Sequence, residues 1–133
     1  MDLFTAMDIS ASGLRAQRTR MNVISSNIAN SQTTRTPEGG PYKRRDVIFK
    51  ENSFDQQLAA VEVDNIVTDN TPGKRMFEPS NPDADATGYV TMPNVNMMEE
   101  MVNMISATRS FEANTIAVKS QKDMAMKSLT IGR

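Results

Sequence analysis

The stretch NVISSNIANSQTT, Asn22 to Thr34, decides how this chain is read. Val23, Ile24, Ile28 and Ala29 fall at helical spacing, yet Asn22, Ser25, Ser26, Asn27 and Asn30 lie between them. Such residues weaken a helix because their short polar side chains bond nearby backbone groups instead. A helix written this way needs a reason outside itself. Upstream, Leu3, Met7, Leu14, Met21, Ile24 and Ile28 form one stripe. Met7, Leu14, Met21 and Ile28 recur every seven residues, as in a coiled-coil seam. The companion positions Ser10 and Gln17 leave that seam half polar. Ala11, Ser12 and Gly13 make a patch of small residues that another backbone can approach closely. The spacing predicts a helix from about Leu3 to Asn30, with Asn30 as a left-handed stop.

A second helix is predicted from about Val95 to Leu129. Met97, Met104, Phe111, Val118 and Ala125 repeat every seven residues, with Met101, Thr108, Thr115, Lys122 and Leu129 as the expected companion row. Met98, Val102 and Ile105 widen the apolar face at its start, and no Gly or Pro falls between Asn94 and Ile131. Asn94 or Asn96 suits the N-cap, and Glu99 and Glu100 sit where the helix dipole favours anions. Lys119, Lys122 and Lys127 lie toward the opposite end, where cations are favoured, and Gly132 follows as a stop.

Between the helices, residues 32–92 hold five of the six Pro and four of the six Gly. Short β-like runs appear at 45–51 and 59–68, with weaker ones at 74–78 and 88–92. NTPGK, residues 70–74, reads as a turn with Pro at its second position and Gly at its third. The expected fold is mainly α with a small β insertion. Long N- and C-terminal helices pair as a coiled coil, and a small antiparallel β region lies between them. The segments are 1–34, an N-terminal axial helix; 35–92, a β-rich and loop insertion; and 93–133, a C-terminal axial helix.

Composition narrows the function. The chain has 133 residues, 38% hydrophobic and only 5% aromatic, with no Trp and eleven Met. A large self-contained core is not expected, whereas flexible Met suits surfaces that pack in more than one way. Cys and His are both absent. Disulfides, thiolate metal sites, Cys nucleophiles, imidazole bases and imidazole ligands are thereby excluded. Residues 1–45 carry seven Lys/Arg against three Asp/Glu, a net of +4; residues 46–96 carry three against nine, a net of −6. Opposite fields on one chain favour contacts between copies. MDLFTAMDIS has neither the basic nor the long apolar part of a secretory signal, and no stretch approaches the length of a membrane span. Any export is expected to use a route that reads no such signal.

Two segments carry a resemblance. SGLRAQRTRMNVISSNIANSQTT (12–34) resembles the N-terminal signature of the bacterial flagellar rod, hook and hook-associated proteins. PNVNMMEEMVNMISATRSFEANTIAVKSQKDMAMKSL (93–129) resembles their C-terminal signature. PEGGPYKRRDVIF (37–49) and EPSNPDADATGYVTMPNV (78–95) are similar to the proximal rod members, while 50–77 matches no fixed pattern. The resemblance implies a structural, non-enzymatic subunit of the basal-body rod, without cofactor. It implies export by the flagellar type III apparatus and helical assembly in the periplasm. The implied partners are copies of the chain, other proximal and distal rod subunits, and the adaptor joining the rod to the export gate and MS ring. The family motif positions are Asn27, Ile28, Ala29 and Asn30 in the first helix, and Asn94, Val95, Glu100, Met101, Arg109 and Asn114 in the second. Together with the seams they give a candidate assembly interface. It comprises Met7, Leu14, Met21, Ile24, Asn27, Ile28 and Asn30, then Met97, Met101, Met104, Arg109, Phe111, Asn114, Val118 and Leu129.

Other chemistries have weaker support. DADATGYV (83–90) partly fits a Ca²⁺ loop, but the position of the bidentate Glu is Asn94, so a turn built on Asp side chains is the expectation. Glu99 and Glu100 are neighbours that point about 100° apart on a helix, so they do not converge as an acid–base pair. Arg15, Arg18 and Arg20 with Lys43, Arg44 and Arg45 lack interleaved aromatics, which disfavours nucleic acid. The first helix is only lightly basic, which disfavours a membrane surface. A monomeric helical binding or adaptor module of a secretion apparatus is the alternative to a rod subunit. The two half-polar seams predict helices that are weak alone, frayed at their ends, and completed by neighbours. Placing a charge in the first seam, as in Ile28→Asp, is expected to block assembly.

Overall fold

The computed structural model describes residues 3–55 and 58–132. Met1, Asp2, Gln56, Gln57 and Arg133, and so the outer limits of the first and last predicted segments, lie outside the described residues. The order of elements is α1 (Leu3–Ala29), β1 (Arg45–Asp55), β2 (Leu58–Thr68), β3 (Arg75–Phe77), β4 (Tyr89–Thr91) and α2 (Met97–Ile131). Every element falls on a predicted run.

The helix ends are set by side chains. At the start of α2, the Asn96 side chain accepts from the Met98 amide at 3.2 Å and makes the N-cap. Asn94 is left free for a different task. At the end of α1, Asn30 does not adopt the expected left-handed conformation, since no described non-glycine residue has a positive φ. Instead its backbone N–H and its Nδ2 both donate to the Ser26 carbonyl, at 3.0 and 2.9 Å. Two donors on one orphaned carbonyl close the helix without a left-handed residue.

The helices pack antiparallel. Ser10 meets Gln121, Met21 meets Thr108 and Asn27 meets Glu100. A Cβ on Gly13 would lie 2.9 Å from Asn114 Nδ2, so the absence of a side chain there is what lets α2 come close. These pairs correct the expected companion row in α2. The row packed on α1 is Glu100, Ala107, Asn114 and Gln121, three residues on from the Met97 series. Of the expected row, Thr108 is half-buried against Met21, while Met101, Thr115, Lys122 and Leu129 are exposed. A coiled-coil seam alternates steps of three and four. The step of three lands here on polar or small residues, which a search for apolar repeats passes over.

β1 and β2 form an antiparallel hairpin. Ile48 pairs with Asn65 but Phe49 with Val63, so Asp64 is an extra residue in β2. A one-residue slip would turn every later side chain to the other face. The bulge prevents this and keeps Val61, Val63 and Ile66 opposite Glu51, Phe49 and Val47 on one face. The hairpin packs on α1 and not on α2. Ser12 makes the staple: its hydroxyl donates to the Ile9 carbonyl at 2.7 Å and accepts from the Val61 amide of β2 at 3.1 Å. α1 therefore lies between the hairpin and α2.

β3 and β4 form a second, three-residue antiparallel pair beside the start of α2. The expected turn at 70–74 is absent, and Gly73 has no positive φ. Its role is close approach: a Cβ there would overlap the Met92 carbonyl oxygen. Among the described residues the buried apolar ones are few, namely Ala16, Ile24, Tyr42, Val90, Pro93 and Ala107, and buried Ser12, Asn27 and Glu100 stand among them.

Candidate assembly interface and the junction that orients it

The polar residues of the opening stretch converge where all three segments meet. Asn27 is fully buried and uses its amide completely. Its Oδ1 accepts from the Tyr42 hydroxyl and the Arg45 amide, each at 3.0 Å. Its Nδ2 donates to the Arg45 carbonyl at 2.8 Å and to Glu100 Oε2 at 3.0 Å. One side chain thus ties α1 to the first residue of β1 and to the first turn of α2. Ser26 adds a longer contact with the Tyr42 hydroxyl at 3.4 Å.

Glu100 is also fully buried, and its other oxygen accepts from Arg44 Nε at 2.7 Å. Arg44 reaches Asp46 as well, at 3.1 Å. Burial by itself depresses the Arg44 guanidinium, but its bonds to Glu100 and Asp46 outweigh this and raise it above its ordinary value. Behind the ion pair, Asn94 Oδ1 accepts from the Arg44 amide at 2.7 Å, and Asn94 Nδ2 donates to the Asp69 and Thr71 carbonyls, each at 3.0 Å. Every polar atom of the Asn27–Glu100–Arg44 cluster that points inward has a partner. A buried charge is tolerable on this condition only. The cluster holds no nucleophile and no open coordination position. Its chemistry is mechanical: it fixes the angle between the helix pair and the β region.

The sequence placed Asn27 in the candidate interface and Glu100 and Asn94 among the family motif positions. It gives no such role to Arg44, Tyr42 or Asp46. The cation run Lys43, Arg44 and Arg45 was visible, but nothing local indicates which cation turns inward. Arg44 does so, while Lys43 reaches Asn70 and Arg45 lies over the Tyr42 ring.

The remaining candidates separate into two groups. Ile24 and Asn27 are buried, and Met7, Leu14, Met21, Ile28, Asn30, Met104, Phe111, Asn114 and Val118 are half-buried. Met97, Met101, Arg109 and Leu129 are exposed. Exposure is greatest on the side of α2 away from α1. Met98, Val102, Ile105 and Ile116 are between 56% and 72% exposed. At 100° per residue they share a stripe that also holds Arg109, and it lies diametrically opposite Glu100, Ala107, Asn114 and Val118. α1 thus covers a mixed polar and apolar face of α2 and leaves the apolar stripe on the opposite side uncovered. Simple amphipathicity, expected from the sequence, does not describe this helix.

The Asp-rich loop before β4 is occupied by its own donors. Asp83 accepts from the Thr34 hydroxyl at 2.8 Å and pairs with Arg35 at 2.9 Å. Asp85 accepts from the Thr87 hydroxyl and amide and from the Tyr89 amide, and it pairs with Arg75. The Thr87 hydroxyl and the Tyr89 amide foremost hold the Asp85 carboxyl down at about 2.

Comparison with known proteins agrees with this architecture. Residues 7–35 match the family described as flagella basal body rod protein, and residues 86–131 match the C-terminal family of flagellar basal body rod FlgEFG proteins. The chain is 42% identical to the flagellar basal-body rod protein FlgC of Salmonella typhimurium, over the whole of both chains. It is 41% identical to FlgC of Bacillus subtilis over the whole of both chains, and 41% identical to that of Borreliella burgdorferi over 98% of each. No described helix is long and apolar enough to cross a membrane. A catalytic centre is not part of this family's character, which is structural. The chain belongs to the FlgC family of flagellar basal-body rod proteins, structural subunits of the bacterial flagellum.

Proposed function

We propose that this subunit assembles helically through its terminal helices, with the outward stripe of α2 as the main lateral contact. The assembled wall forms part of the proximal drive shaft and of the channel through it. The observation that carries this reading is the uncovered apolar stripe of α2. Met98, Val102, Ile105 and Ile116 are exposed in the single chain and lie opposite the face already covered by α1. Burying such side chains contributes about 1.5–3 kcal/mol each when complete. The rest of the candidate interface supports the same reading. Met97, Met101, Arg109 and Leu129 meet neighbouring subunits, while Met7, Leu14, Ile28, Asn30 and Phe111 shape the surface beside them. Segments 1–34 and 93–133 act as the axial layer and 35–92 as the outer one. The neighbours are copies of this chain, the other proximal and distal rod subunits and the adaptor to the export gate and MS ring. Delivery is through the flagellar type III apparatus to the periplasm.

Val102→Asp places an unpaired charge in the stripe without touching α1. Flagellated cells carrying it are expected to lose motility and to lack the subunit in isolated basal bodies, while the purified variant keeps its circular dichroism spectrum. Normal incorporation of Val102→Asp would remove the stripe from the contact. A discrete one-to-one complex that neither grows nor joins other rod subunits would favour an adaptor instead.

A further inference from the structure

The chain carries eleven Met and no Cys. With no thiol to react first, the methionine thioether is the side chain most open to a peroxide. Met97, Met98 and Met101 cluster at the start of α2, and the uncovered stripe begins on one of them. Met98 is 72% exposed. Met101, three residues on and about 60° around the helix, is 44% exposed. Met21 and Met104 are half-buried, and the Met21 sulfur also accepts from the Thr108 hydroxyl at 3.7 Å. Met124 and Met126 are 51% and 57% exposed. They lie about two turns past Ile116, where Lys119 and Asp123 fall near the line of the stripe. Two exposed pairs of methionines can therefore be compared, one on the apolar stripe and one beyond it.

We propose that Met98 and Met101 are sulfoxidation sites that decide whether a free chain can join the wall. As thioethers they admit it, and as sulfoxides they exclude it. The proposal rests on the reading of the stripe as the lateral contact and adds the modification that controls it. The oxidant is a hydroperoxide. A sulfur lone pair attacks the terminal peroxide oxygen, and the S–O bond forms as the O–O bond breaks. With hydrogen peroxide, the departing oxygen takes up a proton and leaves as water. The thioether is oxidised to a sulfoxide and the peroxide is reduced. The product keeps the length of the side chain and loses its apolar character. Its oxygen needs a hydrogen-bond donor, and the nearest stripe neighbours, Val102 and Ile105, have none on their side chains. Both sulfurs are reachable in the single chain and covered once a lateral neighbour is in place, so the modification acts before incorporation. Methionine sulfoxide reductases return the thioether, which makes the exclusion reversible.

The test begins with the purified full-length chain in hydrogen peroxide, followed by peptide mass spectrometry. Met98 and Met101 are expected to gain oxygen several-fold faster than Met21 and Met104. In flagellated cells, Met98→Gln/Met101→Gln places polar side chains of similar length on the stripe. This variant is expected to be missing from isolated basal bodies, whereas Met124→Gln/Met126→Gln is incorporated, and both purified variants keep the circular dichroism spectrum of the parent. Cells that express the parent chain together with Met98→Leu/Met101→Leu compare the two under one set of conditions. A peroxide pulse during rod assembly is expected to enrich the Leu chain several-fold in new basal bodies, relative to unpulsed cells. Oxidation of Met98 and Met101 no faster than Met21, normal entry of the Gln variant on the stripe, or an unchanged ratio after the pulse would overturn the proposal. If that Gln variant enters while Val102→Asp is still excluded, the lateral stripe stands and only its oxidative control falls. If Val102→Asp enters as well, the lateral reading falls too.

Discussion

At the scale of single residues, two carboxylates have contrasting roles. Glu100 is buried between Asn27 and Arg44. Truncating one member of such a pair strands the others, so Glu100→Ala is expected to cost about 3–5 kcal/mol in urea unfolding. Glu100→Gln is also destabilising, because Asn27 Nδ2 and Arg44 Nε are both donors and the single amide oxygen accepts from only one of them. A loss below about 1 kcal/mol would show that the junction does not hold the segments together. Asp85 is exposed and its carboxyl sits at about 2, below the ordinary 3.8. A depressed carboxyl stabilises the fold above its unfolded value and loses that contribution as protons bind. The β3–β4 loop should therefore loosen as pH falls from about 4 to about 2. An NMR titration of the Asp85 side chain would check this, and a midpoint at the ordinary value would contradict it.

At the scale of elements, glycine positions decide how closely parts approach. Gly73 faces the Met92 carbonyl where the chain enters α2, and Asn94 ties the same region to Asp69 and Thr71. Gly73→Ala has no space without backbone movement, and is expected to lower stability by at least about 2 kcal/mol and to raise hydrogen exchange at the Met92 amide. That amide donates to the Lys74 carbonyl at 2.8 Å, so it reports directly on the docking of β3 against β4. Gly13 is different, because the atom it faces is the end of the Asn114 side chain, which can turn away. The helix pair tolerates a methyl there better than the β region tolerates one at Gly73.

At the scale of the whole molecule, α1 is covered on two sides and α2 on one. Stability should be graded accordingly. In the isolated chain, amides near Asn27 and Ala107 are expected to exchange slowest and those of Leu129 to Gly132 fastest, with the last turn gaining protection on assembly. Uniform protection of α2 in dilute monomer would mean that the free chain is already complete. The weak, half-polar seam fits this gradient. Ser10 with Gln121, and Thr108 with Met21, make contacts at 3.3 and 3.7 Å rather than a continuous apolar seal.

Much of the design was legible before any coordinates. Seven-residue spacing predicted both helices, β-branched runs predicted β1 and β2, weaker strand signals marked β3 and β4, and the paired terminal signatures predicted the family. These are local properties, and local backbone preference together with period is written directly in the residue order. The rest depended on tertiary structure. The order of residues could not say that Glu100, Ala107, Asn114 and Gln121 face α1, because polar and small side chains leave no apolar repeat. Nor could it select Arg44 from three adjacent cations, replace the left-handed stop at Asn30 with two donors on the Ser26 carbonyl, or reveal that α1 leaves the stripe of Met98, Val102, Ile105 and Ile116 uncovered. The puzzle of Asn22 to Thr34 is resolved in the same way. Its helix-weakening Asn27 is retained because a buried amide can satisfy a strand end, a tyrosine and a carboxylate at once, and only the meeting of distant segments creates those partners.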